Sequence, residues 1–476
     1  MRIVLKLLDT RPLRVPAFRR LWVSTAVTAV GSQLTAVAVP LQIYRLTGSS
    51  AQVGLAGLAG FLPLVAAALW GGAVADAADR RRLLLVGNTG IALVSVLLWA
   101  QAAAGLRSVG TLLALVAVQQ AFFGANATVR GALVPRLVDP ELLPAANALQ
   151  STAAWFGGIA GPLLAGTLVA ALGTGTLYLL DALALLAVLP AVRLLPPLPP
   201  SDGASRRVGP REIADGLRCL RSSRVLLTAY LVDFLAMVLG LPVALFPQAA
   251  HQVFGDPAGG GPAIGVLSAA LSLGALLTGC CSGLFTRVRR HGAMVTAAVC
   301  TWGLAIAGLG TTRRLWLAAL LLALSGGALV VLGTFRKSIL QSAAPDAMRG
   351  RLQGIDTVVG AGGPRLAGLV HGVAGAAFGA SRAISAGGVL AVLAMGAVVA
   401  VSPAFWRYSP AAQRSREVSR PRTAACTSAS SAGSAASRRR RSSTRASPVV
   451  TTWRAASSRV LSSQSHRHST AGPEAK

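Results

Sequence analysis

Three aspartates within long apolar stretches are the residues of this sequence best suited to chemistry. Asp181, Asp233 and Asp356 each lie in a run with few other charged side chains. A charge near the centre of a membrane-spanning helix is unfavourable by at least ~2.5–3.5 kcal/mol, so an acid in such a place is a functional candidate by default. A carboxylate in an apolar cavity can bind and release a proton. These positions therefore suggest proton transfer.

Asp233 is the leading candidate because of its depth. It follows Arg224 by nine residues, which is about 14 Å along a helix that rises 1.5 Å per residue, and so near the middle of its span. Asp181 lies closer to the outer side and Asp356 near the inner interface. A structural ion pair is an equally good interpretation of Asp233. Arg365 is also deep in its span and either pairs with Asp233 or meets an anionic substrate.

Amide side chains are a further set of cavity candidates. Gln33 and Asn126 lie within the first and fourth apolar runs, where they could contact a substrate. The alternative, which is more common for such residues, is that they hydrogen bond to neighbouring helices.

The elements that hold these residues are predicted from composition. The chain has 476 residues, of which 53% are hydrophobic and 13% charged, whereas soluble domains carry about 25% charged residues. Apolar runs of 18 or more residues recur, and each can cross a hydrocarbon layer of roughly 30 Å as a helix. A soluble helix shows one apolar stripe rather than an apolar circumference. We therefore predict an all-α membrane protein.

Twelve membrane-spanning helices are predicted in two sets of six. The spans are 20–44, 51–75, 83–105, 109–132, 145–172, 175–195, 225–250, 262–284, 292–311, 315–335, 352–378 and 383–404. The predicted domains are an N-terminal segment 1–19, a first bundle 20–195, a polar connector 196–224, a second bundle 225–406 and a disordered basic tail 407–476.

The orientation follows from lysine and arginine counts in the connecting segments. With the N-terminus inside, 25 of these residues, Arg130 and Arg336 among them, fall on the inner side and five on the outer side. Both termini are therefore predicted to be cytoplasmic. The net charge of +30 does not indicate nucleic-acid binding, because 14 of the 45 basic residues lie in the tail from Arg407 onward and most others lie in short loops.

The two halves share features that suggest a duplication. The fourth and fifth spans are joined by "RLVDPELLPAAN", and the tenth and eleventh by "QSAAPDAMRGRL". In both loops an acidic residue follows a proline. Pro162 comes 22 residues after Pro140 of the first loop, and Pro364 comes 19 residues after Pro345 of the second. Transporters are often built from such repeats, with the binding site between them.

A charged loop separates the second and third spans. The stretch "GGAVADAADRRRLLL" places Gly72, Asp76, Asp79, Arg80 and Arg81 at the spacing glycine–x3–aspartate–x3–basic–basic. This resembles the signature loop of the major facilitator superfamily, with alanine in place of a basic residue at 77 and Asp79 in place of glycine. The resemblance implies twelve helices in two pseudo-symmetric bundles around a central cavity. It also implies that the loop acts as a latch in the outward-facing state.

Other stretches narrow the resemblance to one branch. "GALVPRLVDPELLPAANAL", "YLLDALALL", "DFLAMVLGLPVALFP" and "LQSAAPDAMRGRLQGI" look like the enterobactin-exporter-like branch of bacterial efflux proteins, over about residues 10 to 405. In span five, Gly158, Gly161, Pro162 and Gly166 of "GGIAGPLLAG" resemble the motif that accompanies proton-coupled export. Small residues there permit close helix approach, and the proline permits a kink. A generic packing face is the alternative.

The predicted function is proton-coupled export of amphipathic molecules such as siderophores, antibiotics or other secondary metabolites, by a monomer in the bacterial inner membrane. No cofactor, nucleic-acid partner or enzymatic activity is expected, since the chain has no phosphate-binding loop and its cysteines and histidines lack metal-ligand spacing. Three alternatives stay open: an importer of a small nutrient on the same fold, a membrane enzyme acting on lipid, and a non-transporting scaffold or sensor.

Overall fold

The structure is a computed structural model that describes residues 9–77, 79–194, 223–257, 259–281, 285, 288, 290–343 and 349–409. Within these residues the regular structure is helical throughout. The long helices of the first half are α1 (Pro16–Thr47), α2 (Ser50–Ala77), α3 (Arg80–Ala103), α4 (Val109–Leu137) and a segment Leu143–Arg193 that contains α5 and α6. Those of the second half are α7 (Arg224–Gly240), α8 (Pro262–Cys280), α9 (His291–Thr311), α10 (Leu315–Ala343), α11 (Arg349–Phe378) and α12 (Ala380–Val401).

Each predicted span overlaps one of these helices. Ten helical segments of the described residues are long and apolar enough to cross a membrane. One of the ten, Ala145–Arg193, contains two predicted spans. Within it the backbone of Gly173 leaves the helical region with φ of 76°. Glycine adopts this left-handed conformation without the steric penalty of a Cβ atom, so we divide the segment into α5 (143–172) and α6 (174–193). The eleventh predicted span, α11, is not among the ten.

The seventh span departs from the prediction of one continuous helix. Helix α7 ends at Gly240, and a 3₁₀ turn Val243–Leu245 and a short helix Phe246–Gln252 follow. Pro242 explains the interruption, because proline has no N–H to donate and disfavours helical geometry in the residue before it.

The helices are apolar on more than one side. On α3, Leu84 and Leu98 are buried against neighbouring helices, whereas Val86 and Leu93 are 62% and 59% exposed. An apolar exposed face suits contact with lipid and would be unfavourable in water.

Packing follows the two halves of the chain. In the first half, α1 packs on the α5–α6 segment and α2 on α4, and in the second half α9 packs on α10 and α12 while α7 packs on α11. The main contacts between the halves are α2 with α11 and α5 with α8. At these two places the helices approach each other closely, and a cavity lies between them.

Candidate functional site

A cavity of about 700 Å³ lies against the first half of the chain. Helices α1, α2, α3, α4 and α6 contribute most of its wall, and the second half closes it with Leu241, Val243 and Ala244 and with Pro364, Arg365 and Gly368 of α11. Its apolar wall includes Val39, Ile91, Val116 and Leu185. Volumes of about 300–1,000 Å³ are typical of sites for small organic molecules.

A polar cluster forms one end of this wall around Arg130. The Arg130 guanidinium donates to the hydroxyls of Thr25 and Thr28 at 3.3 Å each and to Asn88 Oδ1 at 3.2 Å. Asn126 Nδ2 donates to the same Asn88 oxygen at 2.9 Å. Among the described residues the cation therefore has only neutral partners, at the long end of the hydrogen-bond range, and its donors can be shared with a solute.

Arg130 was missed as a site residue by the sequence interpretation, which counted it among the charges of the inner loops. Helix α4 continues to Leu137, so Arg130 lies about two turns inside the helix. The signal was present, because Gln119, Asn126 and Arg130 are separated by seven and four residues and therefore share one helix face. All three line the cavity.

The predicted amide candidates are both cavity-lining residues. Gln33 lies on the α1 side of the wall and Asn126 on the α4 side. On the opposite side, the Arg365 guanidinium donates to Gln120 Oε1 at 3.1 Å, which connects α11 to α4 across the two halves.

Asp233, the leading candidate from the sequence, lies elsewhere. Its carboxylate forms a buried ion pair with Arg336 of α10, with 3.4 Å between Oδ1 and Nε, and it does not line the cavity. Arg336 also lies over the ring of Tyr230, 5.7 Å from its centroid. The partner of Asp233 is therefore Arg336 and not Arg365 as considered from the sequence. Arg336 had been counted as a loop charge, but it lies within helix α10.

Asp181 is the predicted acid that the structure brings to the cavity. Its Oδ2 atom accepts hydrogen bonds from Thr35 Oγ1 of α1 at 2.7 Å and from Ser95 Oγ of α3 at 2.9 Å. The residue is 1% exposed. It contributes to the cavity wall together with Thr35. The prediction that Asp356 is a site residue rests on a position in α11 whose side chain lies outside the described part.

The charged loop between α2 and α3 is only partly described. Gly72 and Asp76 fall within α2, but their side chains lie outside the described residues. Asp79 is the N-cap of α3, where its side chain accepts a hydrogen bond from the Arg81 backbone N–H at 2.9 Å. Arg80 is buried at the first turn of α3.

Two substitutions of Asp79 distinguish its role as a helix cap from a role of its charge in the latch. Asp79→Asn should leave stability and transport near wild type because asparagine caps as well as aspartate, whereas Asp79→Ala should lower the free energy of unfolding by about 0.5–2 kcal/mol. Thermal unfolding and transport rates of the two variants would be compared. Loss of transport in Asp79→Asn with unchanged stability would show that the charge itself is required.

Helix α5 contacts both halves through the predicted glycine–proline motif. A Cβ atom on Gly166 would lie 2.8 Å from the Gly265 backbone of α8, and one on Gly265 would lie 2.6 Å from the Pro162 carbonyl oxygen. Gly158 faces Ser272 of α8. Gly161 instead faces α1, where an added Cβ would lie 2.5 Å from Cβ of Gln33. The backbone stays helical at Pro162, and the break at Gly173 is the boundary between α5 and α6.

A helical membrane protein with a solute-sized cavity between two packed halves has the architecture of a transporter. A model of the family described as transmembrane secretion effector matches residues 9–427. The chain is 30% identical over 377 residues to the enterobactin exporter EntS of Citrobacter koseri, covering 76% of this chain and 86% of that protein. It is 30% identical over 406 residues to EntS of Escherichia coli K12, covering 83% and 94%. The chain belongs to the transmembrane secretion effector family of the major facilitator superfamily, and it is an efflux transporter.

Solved structures agree on the fold. A mutant of the nucleoside transporter NupG superposes with a TM-score of 0.68 at 13% identity, covering 82% of this chain and 98% of that one. The predicted all-α fold of the major facilitator type is confirmed, and so is the resemblance to the enterobactin-exporter-like branch.

Proposed function

We propose that this efflux transporter exports amphipathic small molecules that carry acceptor oxygens, in exchange for protons, by alternating access. The observation that supports the proposal is the cavity of about 700 Å³ between the halves, with an apolar wall and an arginine whose partners in the described part of the chain are all neutral. An apolar body fits against Val39, Val116 and Leu185. The Arg130 guanidinium, which has donors and no acceptors, then binds carbonyl, phenolate or carboxylate oxygens.

The proposed direction of movement follows from the predicted orientation. With both termini in the cytoplasm, the start of α2 and the end of α11 lie on the outer side, where Ser50 Oγ donates to the Gly372 carbonyl at 3.1 Å. The close approach of Gly166 to Gly265 lies on the same side. In this conformation the halves meet on the outer side, so the substrate enters from the cytoplasm and leaves when the contacts open.

The two six-helix bundles rock as units within the bilayer, the protein works as a monomer of the bacterial inner membrane, and it carries out no chemical conversion of its substrate. The loop with Asp76 and Arg81 acts as the latch, and Gly158, Gly161, Pro162 and Gly166 of α5 form the gating surface. An inward gradient of protons supplies about 2.3 kcal/mol per charge for each 100 mV of membrane potential, in addition to its pH component.

Transport into inside-out membrane vesicles tests the function directly. The matched relatives are named as enterobactin exporters, so enterobactin is the first probe. We expect vesicles that contain the protein to accumulate enterobactin when their lumen is made acidic, and to lose this accumulation when a protonophore collapses the gradient. Accumulation only in right-side-out vesicles would support the importer instead, and no movement in either preparation would support the scaffold.

Removal of the guanidinium is expected to weaken substrate binding. A hydrogen bond to a charged group contributes about 1.5–3 kcal/mol, so Arg130→Ala should raise the KM for enterobactin about 10-fold or more. Arg130→Lys keeps the charge without the planar set of donors and should fall in between. Initial rates over a range of enterobactin concentrations provide the measurement. An unchanged KM in Arg130→Ala would remove Arg130 from the binding site.

A further inference from the structure

We propose that Asp181 is the proton-binding site of the transport cycle, and that Thr35 and Ser95 hold its carboxylate for this role. The inference rests on the proton coupling of the proposed function and adds the residue that performs it. It also transfers the role from Asp233, which the sequence favoured, to an acid on a different helix and in the other half of the chain.

Among the described residues, only one of the two oxygens of the Asp181 carboxylate accepts hydrogen bonds. Thr35 and Ser95 both donate to Oδ2, at 2.7 and 2.9 Å. Oδ1 is buried and has no hydrogen-bond partner, and it faces Gly31 of α1, where an added Cβ would lie only 2.6 Å away. An ionised carboxylate can accept about four hydrogen bonds, so Oδ1 retains unused capacity in a buried position between α6 and α1, on a residue that also contributes to the cavity wall.

The comparison with Asp233 makes the assignment specific. Asp233 has the guanidinium of Arg336 at ion-pair distance, so a cation compensates its charge directly. Among the described residues no basic side chain lies within ion-pair distance of Asp181. Hydroxyl donors hold the carboxylate in place without compensating its full charge, which leaves both protonation states accessible.

Two charged side chains share the cavity with Asp181. Arg130 of α4 and Arg365 of α11 line it together with Asp181. Arg130 bonds to Asn88, which lies seven residues before Ser95 on α3, about 10 Å along the helix. Tyr178, on α6 itself, directs its hydroxyl to Gln42 at 2.8 Å, and Gln119 of α4 donates to Ser95 Oγ at 3.3 Å. None of these groups takes the place of a direct counter-ion.

Exchange of substrate for proton follows if both compete for the Asp181 carboxylate. A substrate hydroxyl or N–H that donates to the carboxylate stabilises its ionised form. A proton that binds to the carboxylate converts it to the neutral acid and removes that acceptor. Substrate and proton therefore occupy the site in alternation, and the proton that enters from the outer side is released to the cytoplasm when the next substrate binds.

Infrared difference spectroscopy of the purified full-length protein tests the site without any substrate. The carbonyl band of a protonated carboxylic acid should appear on acidification of the wild type, and it should be missing in Asp181→Asn. The matched control is the double variant Asp233→Asn/Arg336→Gln, which removes the other buried acid together with its cation and should keep the band. A band that is absent from the wild type, or that is lost only in the control, would overturn the proposal.

Variants of the two donors keep the proposal testable if Asp181→Asn does not fold. Thr35→Val and Ser95→Ala each remove one hydrogen bond that favours the ionised form. In each variant the band should shift in frequency and persist to a higher pH than in wild type. A band unaffected by both substitutions would assign it to another acid and contradict the proposal.

A transport measurement links the site to coupling. In proteoliposomes, the wild type should accumulate enterobactin when a pH gradient is imposed, Asp181→Asn should lose this accumulation, and the control variant Asp233→Asn/Arg336→Gln should keep it. Retained gradient-driven accumulation would refute the role of Asp181. If the wild type moves no enterobactin at all, the proposed function fails for this compound, while the spectroscopic result still decides whether Asp181 binds the proton.

Discussion

Gly54→Ala is expected to abolish most export, because the added methyl group separates the two halves where they meet. A Cβ at residue 54 of α2 would overlap the Gly368 carbonyl oxygen of α11. Overpacking of this kind typically destabilises a contact by about 1–3 kcal/mol, and a difference of this size shifts an equilibrium between two conformations by about 5- to 150-fold. The protein should then be depleted of the conformation in which these helices touch.

Two glycines nearby provide matched controls for this prediction. Gly57, one turn further along α2, has no atom within 4 Å of an added Cβ, so Gly57→Ala should transport at the wild-type rate. For Gly368 the nearest atom would be Cβ of Ala244 at 3.8 Å, an ordinary van der Waals distance, so Gly368→Ala should also be tolerated. Gradient-driven enterobactin accumulation per folded molecule is the measurement. Equal rates for Gly54→Ala and Gly57→Ala would show that this contact does not limit transport.

The second large effect is expected at the buried ion pair of the second half. Removal of one partner from such a pair leaves an uncompensated charge and is destabilising by about 3–5 kcal/mol. Asp233→Asn and Arg336→Met should each lower the free energy of unfolding by about this amount. The double variant should recover most of the loss, because neither charge remains buried. Unfolding in mixed detergent micelles, followed by circular dichroism, measures the three values.

The ring of Tyr230 gives this experiment an internal control. Tyr230→Phe keeps the aromatic face under Arg336 and should preserve stability, since the attraction of a cation to an aromatic ring does not require the hydroxyl. The double variant should also keep gradient-driven export per folded molecule. If Asp233→Asn instead loses coupling while its stability is unchanged, the original assignment of the proton site to Asp233 was correct.

Much of the fold could be predicted because hydrophobicity and length alone constrain a membrane helix. Each of the twelve predicted spans overlaps a helix of the structure, and the break at Gly173 falls in the predicted two-residue gap between the fifth and sixth spans. The interruption after Gly240 was not predicted, although Pro242 signals it. A window of mean hydropathy records how apolar a segment is and ignores which backbone hydrogen bonds a proline removes.

The site was predicted less well because depth along a helix does not determine which way a side chain points. Asp233 and Asp181 are both about 1% exposed, yet one faces Arg336 inside the second half and the other faces the cavity. Arg130 and Arg336 were assigned to loops because basic residues near span ends usually lie there. Arg130 lies within the predicted fourth span 109–132 although it was counted with the inner-side charges, whereas helix α10 extends eight residues past its predicted end, which places Arg336 inside the helix.

By itself the sequence determined that the chain crosses a membrane repeatedly, which superfamily it resembles, and that its buried acids deserved attention, because these properties depend on composition and local spacing. Only the tertiary structure decided which acid has a counter-ion and which lines the cavity. The reason is that Asp181 lies 146 residues from Thr35 and 86 from Ser95, and contacts over such separations depend on how helices rotate and pack against one another, which no local pattern encodes.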